Sequence, residues 1–150
     1  MHDKPHFTEG KPSGFRQLLG YRIDVWREGH AEIVMDLAPQ HMNGLGIVHG
    51  GVYATLLDAA QGHAVTFCPL PGHTRICVTI SLTTSFLSAA REGQVRAIGR
   101  LLGVHDRVAT AHAEMFDAAG TLLAAAQASF RYMPGSELLE GVPRQGPHVR

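Results

Sequence analysis

The sequence predicts an α+β fold in which an antiparallel sheet wraps around one long buried helix. The chain has 150 residues, a length that suits a single domain. Residues 48–67 are apolar on most sides and contain no proline, which indicates a buried helix. Residues 76–86, ICVTISLTTSF, alternate with a period of two and are rich in β-branched side chains, which predicts a strand.

The other elements are predicted in chain order. Ser13 is a suitable cap for a short helix that stops at Gly20. Strands are predicted at 21–26, 30–37, 94–103, 106–116 and 122–133. The alanine content of 107–130 also suits a helix, but the regular alternation favours strands. Prolines and glycines near both ends indicate a flexible N-terminal arm (1–13), a folded domain (14–133) and a flexible C-terminal tail (134–150).

Composition narrows the possible functions. Thirteen basic and thirteen acidic residues cancel, which argues against a dedicated nucleic-acid binder or an electrostatic membrane-surface protein. Only 17% of residues are charged, so we expect a partner subunit to cover part of the surface.

Without a signal peptide, a membrane span or a disulfide framework, the expected location is the cytoplasm. The ten histidines show no metal-ligand spacing, and no G-x-S-x-G nucleophile elbow is present, so no metal and no serine-hydrolase triad are expected.

The densest motif surrounds the start of the long helix. Gly50 and Gly51 stand where N–H groups are free and the helix dipole is positive, which suits the binding of a developing oxyanion. The alternative is that both glycines only permit a tight turn into the helix. His49, just before them, is either catalytic or a structural group at the helix start. Asn43 is either part of the site or a residue that binds loop backbone.

Asp58 lies in the apolar middle of the predicted helix, with no lysine or arginine between residues 52 and 67. A carboxylate there needs partners or has a function, because its burial is costly. Nine helical residues from His49 correspond to about 13.5 Å and about 900°, so the two side chains would face opposite sides. A twofold homodimer could bring Asp58 of one chain to Gly50 of the other, and we therefore predict a site shared between subunits.

At these residues the sequence resembles the hotdog-fold acyl-CoA thioesterases of the phenylacetate-degradation type. The pattern reads N43-GLGIV-HGG51-VYATLL-D58, and the resemblance extends over residues 19–132. It implies a long central helix wrapped by an antiparallel sheet of five to six strands. It further implies hydrolysis of an aryl- or medium-chain acyl-CoA, of which coenzyme A is a part, no separate cofactor, and a homodimer assembled into a homotetramer. A non-catalytic acyl-CoA or acyl-ligand binder with the same fold is the alternative.

The resemblance also assigns roles. The Gly50 N–H would polarise the thioester carbonyl, with Asn43 and His49 on the same side. Asp58 would act as general base or nucleophile. A hydroxyl on the following strand would hold the water. The remaining assignments are Thr79 (or Ser81) for that hydroxyl, Gly51 for space beside the thioester, and Tyr53, Phe86 and Leu45 for the acyl pocket.

The arginines show no cluster that marks a coenzyme A phosphate site. Arg75, Arg91, Arg96 and Arg131 are scattered along the chain, and surface solvation is the preferred interpretation of each.

Overall fold

A six-stranded antiparallel sheet forms the body of the molecule, and one long helix packs on its face. The computed structural model describes residues 12–145. The strands are β1 Arg22–Arg27, β2 His30–Asp36, β4 Cys77–Phe86, β5 Gln94–His105, β6 Val108–Asp117 and β7 Leu122–Tyr132, and the helices are α1 Gly14–Leu19 and α2 Gly50–Thr66. The strands lie in the order β1-β2-β5-β6-β7-β4. The α+β prediction is confirmed, including strands rather than a helix over 107–130.

The short helix α1 forms as predicted. The Ser13 hydroxyl oxygen accepts a hydrogen bond from the Arg16 N–H, which satisfies one free donor of the first turn. The helix ends at Gly20, whose φ of 80° is a left-handed conformation that glycine adopts without strain. Residues 1–11, most of the predicted N-terminal arm, lie outside the described residues.

Helix α2 packs very closely on the sheet. A Cβ atom at Gly99 of β5 would lie 2.3 Å from the Ala60 carbonyl oxygen, so the helix backbone rests on the strand where no side chain intervenes. Around this contact the helix and sheet bury Leu56, Leu57 and Met115 completely. Among residues 12–145, no helix is both long enough and apolar enough to cross a bilayer.

Strand β4, paired only with β7, lies at one edge of the sheet, opposite the edge formed by β1. Its period of two predicts the strand correctly, yet most of its side chains are exposed. Val78 and Ile80 are each 52% exposed, and the register shifts by one residue between Thr79 and Ser81. An apolar edge strand of ten residues is a surface that a folded protein usually covers.

The structure differs from the predicted flexible C-terminal tail over residues 134–145. A short strand, β8 (Val142–Pro143), pairs with β3 (His73–Thr74), and Ser136 is fully buried. The Arg75 guanidinium donates hydrogen bonds to the carbonyl oxygens of Phe67, Ser136 and Glu137. The tail prediction relied on glycines and prolines, whereas the partners that hold this segment lie about 60 residues earlier in the chain. Residues 146–150 lie outside the described residues.

Candidate active site

Asp58 lies on the face of α2 that is directed toward β4. The Thr79 hydroxyl donates a hydrogen bond of 2.9 Å to Oδ1 of Asp58. None of the ion pairs among residues 12–145 includes Asp58. The structure therefore brings Asp58 together with Thr79, the hydroxyl residue that the resemblance implied, whereas Ser81 pairs with Ser129 beyond the register shift.

The Asp58 carboxylate is half-buried rather than buried in the core. It lines an open cavity of about 360 Å³ between α2 and β4, which we call the Asp58 cavity. The neighbouring helix positions that line the cavity include Ala59, with a small side chain, and Gly62, with none, so neither can cover the carboxylate. The prediction of a buried carboxylate is wrong for this reason, and Asp58 is accessible to a ligand.

Sequence reasoning missed several polar side chains that also line the Asp58 cavity, among them Tyr21, His63 and Cys77. The His63 Nδ1 donates to the Ala59 carbonyl oxygen at 2.7 Å, and burial lowers the pKa of the imidazole, which favours its neutral form. Burial raises the pKa of the Cys77 thiol to about 11, so it is not a thiolate nucleophile at neutral pH. Residue type alone did not mark them, because only the fold places them near Asp58.

At the other end of α2, His49 is the N-cap residue. Its Nδ1 accepts a hydrogen bond of 2.8 Å from the Gly51 N–H. This bond fixes the tautomer of a neutral ring with the proton on Nε2. A Cβ atom at Gly51 would lie 3.0 Å from Nδ1, so Gly51 makes room for the His49 ring. The structure thus gives both residues a capping role, and their predicted contacts with a thioester stay predictions.

Gly50 is the first residue of α2, and its N–H has no acceptor within the helix. The hydrogen bonds among residues 12–145 also supply it with none. The Phe86 ring packs directly against Gly50: a Cβ atom there would lie 3.3 Å from Cε1 of the ring. Gly50, Phe86 and Asn43 line a second cavity of about 350 Å³, which we call the Gly50 cavity.

Asn43 organises the loop that precedes α2. Its Oδ1 accepts hydrogen bonds from the N–H groups of Leu45 (2.9 Å) and Ile47 (3.4 Å). The Arg91 guanidinium holds the same loop from outside, by donating to the carbonyl oxygens of Leu45 and Gly46. The amide oxygen of Asn43 is therefore committed to the loop, and its NH₂ group is the part suited to donate to a ligand.

The Tyr53 hydroxyl is likewise hydrogen-bonded to backbone groups of its own chain. Its hydroxyl donates to the Ser88 carbonyl oxygen and accepts from the Ala90 N–H. The ring is only 3% exposed and stacks on Phe86 at a centroid distance of 6.3 Å. Tyr53 thus supports the Gly50 cavity from beneath, whereas Phe86, 56% exposed, is the aromatic ring that a ligand can touch.

Two of the scattered arginines, Arg75 and Arg96, have structural roles in addition to solvating the surface. Arg75 lies over the Tyr132 ring, 4.7 Å from its centroid, and holds the C-terminal segment. Arg96 pairs with Asp24 and Glu32 on the outer side of the sheet. Arg75 and Arg96 therefore do more than solvate the surface, and Arg91, although exposed, also holds the loop before α2.

Within one chain the two cavities are separate. Gly50 and Asp58 are eight residues apart on α2, which corresponds to a rise of about 12 Å. A carbonyl bound at the Gly50 N–H is therefore out of reach of the carboxylate of the same chain. The two groups have complementary chemistry, a hydrogen-bond donor for an oxyanion and a base, but each lies in a different cavity.

Comparison with known proteins agrees with the fold and the motif. The family model described as "Thioesterase superfamily" matches residues 45–135. A Halobacterium salinarum protein is 32% identical over 127 residues, covering 79% of this chain and 83% of that protein. The medium/long-chain acyl-CoA thioesterase YigI of Salmonella typhimurium is 26% identical over 129 residues, covering 77% of this chain and 83% of that protein. The chain belongs to the thioesterase superfamily.

The solved structures include close matches in fold. The PaaI protein of the Escherichia coli phenylacetic acid degradation operon superposes with a TM-score of 0.72 at 20% identity, covering 81% of this chain and 85% of that chain. The resemblance to hotdog-fold thioesterases and the hotdog architecture itself are thereby confirmed. The family supports a hydrolase that acts on thioesters.

Proposed function

We propose that this protein hydrolyses acyl-CoA thioesters to the free acid and coenzyme A. The observation that carries the proposal is the accessible Asp58 carboxylate, held by the Thr79 hydroxyl at 2.9 Å in an open cavity of a thioesterase-superfamily fold. The Salmonella relative named as an acyl-CoA thioesterase supports the same substrate class.

The proposed chemistry uses one group from each cavity. The Gly50 N–H donates to the thioester carbonyl oxygen and stabilises the negative charge that develops there. Asp58 either takes a proton from the water that attacks the carbonyl carbon, or attacks that carbon itself to form a mixed anhydride, which water then hydrolyses to the free acid. In both cases the thiolate of coenzyme A leaves, and the Thr79 hydroxyl keeps the carboxylate in one orientation. No separate cofactor is needed, because water supplies the second substrate.

A homodimer completes the site. The outer side of strand β4 has no partner strand among the described residues and exposes apolar side chains, and a second copy of the same strand can pair with it about a twofold axis. The middle of Cys77–Phe86 lies near Leu82. Antiparallel pairing about that point would put Thr79 beside Ser85 of the partner subunit.

This pairing explains why the two cavities lie at opposite ends of β4. Thr79, near the start of the strand, holds Asp58, and Phe86, at its end, packs on Gly50. A twofold axis through the middle of the strand therefore brings Asp58 of one subunit toward Gly50 of the partner subunit, and it does so twice. The homotetramer and the cytoplasmic location remain predictions beyond this dimer.

A direct assay tests the proposed function. Wild-type protein is incubated with short, medium, long and aryl acyl-CoA thioesters, and release of free thiol is followed. We expect turnover of at least one class well above the spontaneous rate. Binding of acyl-CoA without any thiol release would instead identify a non-catalytic acyl-CoA binder and overturn the proposal.

A further inference from the structure

Gly62 occupies an unusual position for a glycine. It lies inside α2, where glycine weakens a helix relative to alanine. It also lines the Asp58 cavity. Four residues separate it from Asp58, so the two positions share one face of the helix, about 6 Å apart along its axis. The helix thus lacks a side chain at a point where that side chain would project into the cavity.

Packing within the chain does not require this glycine. A Cβ atom at Gly62 would meet its nearest neighbour, Cε1 of Phe130, at 3.7 Å, an ordinary van der Waals contact. Gly99 shows the contrasting case, because a Cβ atom there would collide with helix backbone at 2.3 Å. The core therefore explains Gly99 and leaves Gly62 unexplained.

The residues that line the Asp58 cavity indicate which part of the substrate binds beside Gly62. Apolar groups of Ala59, Ile76 and Phe130 form much of its lining. Arg75, which also lines it, already donates to three backbone carbonyl oxygens and is poorly suited to a phosphate. This end of the site therefore suits the acyl group of the substrate better than its nucleotide.

We propose that Gly62 is a specificity-determining residue, whose missing side chain leaves a channel for acyl groups that extend along α2 beyond Asp58. The proposal rests on the proposed function, since it assumes an acyl-CoA at Asp58. A two-carbon acyl group bound at Asp58 does not reach Gly62, about 6 Å away along the helix. Medium-length and longer acyl groups reach it and contact the helix backbone there.

The test measures binding, so that it does not depend on turnover. Wild type, Gly62→Ala and Gly14→Ala are titrated by calorimetry with non-hydrolysable thioether analogues of acetyl-CoA and decanoyl-CoA. Gly14→Ala is the control, because the added methyl group would have nothing within 4 Å and Gly14 lines neither the Asp58 cavity nor the Gly50 cavity. Thermal unfolding and light scattering report stability and subunit number.

We expect Gly62→Ala to raise Tm by roughly 2–4 °C, since alanine is the better helix former and a small domain gains a few degrees from such a change. Its affinity for the decanoyl analogue should fall about tenfold or more, as expected for an added methyl group in an apolar pocket. Affinity for the acetyl analogue should stay unchanged, and Gly14→Ala should match wild type for both analogues.

Equal effects on both analogues, no effect on either, or no binding by wild type would overturn the proposal. Loss of the dimer in Gly62→Ala would also overturn it, because the glycine would then make room for the partner subunit. Failure of the proposed function gives a different result: wild type releases no thiol from acyl-CoA, while the length-dependent change in affinity is still observed and supports the role of Gly62.

Discussion

The two ends of the proposed site differ in what their polar side chains do. In the loop before α2, the His49 ring caps the helix, and the Asn43 amide oxygen binds loop N–H groups. On the β4 side of α2, the Asp58 carboxylate faces an open cavity and accepts a hydrogen bond from Thr79. The first region uses its side chains to shape backbone, whereas the second presents a side chain to a ligand.

This contrast shows where the chemistry of the motif resides. At the Gly50 end, the reactive element is a backbone N–H that the surrounding side chains expose and orient. At the Asp58 end, it is the carboxylate itself. Substitutions should therefore act differently at the two ends: side-chain removal should abolish activity at Asp58, while the loop should respond mainly to changes in backbone or stability.

The largest effect is expected for Asp58→Asn. The amide has nearly the same shape and can still accept from Thr79, but it is neither a base nor a nucleophile. We expect kcat to fall on the order of 10³–10⁴-fold, with Tm close to that of wild type. Steady-state thiol release and thermal unfolding check this. A variant that keeps more than a tenth of wild-type kcat would show that Asp58 does not carry the reaction.

The second-largest effect is expected for Gly50→Pro, which tests the role of the Gly50 N–H. Proline at the first helical position is tolerated; it removes the N–H and also adds a ring. His49 has φ −62° and ψ 135°, a conformation that suits a residue before proline. We expect Gly50→Pro to lower kcat on the order of 10²–10³-fold.

Gly50→Ala is the control for that variant. It adds the same Cβ atom against the exposed Phe86 ring but keeps the N–H. Its kcat should stay within about tenfold of wild type, since a flexible side chain can shift by a few tenths of an ångström. Equal losses for alanine and proline would mean that space, and not the N–H, matters at this position.

A smaller effect is expected at Thr79. Thr79→Val keeps the shape of the side chain and removes the hydroxyl that holds Asp58. We expect a fall in kcat of about tenfold, as for one lost orienting hydrogen bond. Ser81→Ala, which removes the exposed hydroxyl beyond the register shift, should leave kcat unchanged. The opposite ranking of the two variants would assign the orienting role to Ser81.

The smallest effect is expected for substitution of His49, and it is a loss of folding stability. His49→Ala removes the N-cap and should lower the free energy of unfolding by about 0.5–2 kcal/mol. His49→Ser supplies another N-cap and should recover most of that loss. Chemical denaturation of the three proteins measures it. A large fall in kcat that serine does not rescue would show that the imidazole acts on the substrate.

Most of the fold could be predicted because its elements have local signals. Period-two alternation placed the strands to within a few residues, and the apolar run placed α2. The packing of residues 134–145 was not predictable in this way. Its contacts, Arg75 with backbone carbonyls and β3 with β8, join segments that are about 60–70 residues apart and carry no shared pattern.

The candidate site was predictable in part for the same reason. Asp58 was noticeable because a carboxylate is rare in an apolar helix, and Gly50 because it starts that helix. Tyr21, His63 and Gly62 were not, since only the tertiary fold brings them to the Asp58 cavity. The exposure of Asp58 also escaped prediction, because it depends on small neighbours and on the groove beside β4.

Subunit complementation tests the central claim, that each site combines Asp58 of one subunit with Gly50 of its partner. Asp58→Asn and Gly50→Pro chains, each nearly inactive alone, are mixed in equal amounts with different tags and allowed to exchange. Half of the dimers should be mixed, each with one intact site, so activity should recover to about one quarter of wild type. Activity that stays at the sum of the two parents, although co-purification proves exchange, would contradict the shared site.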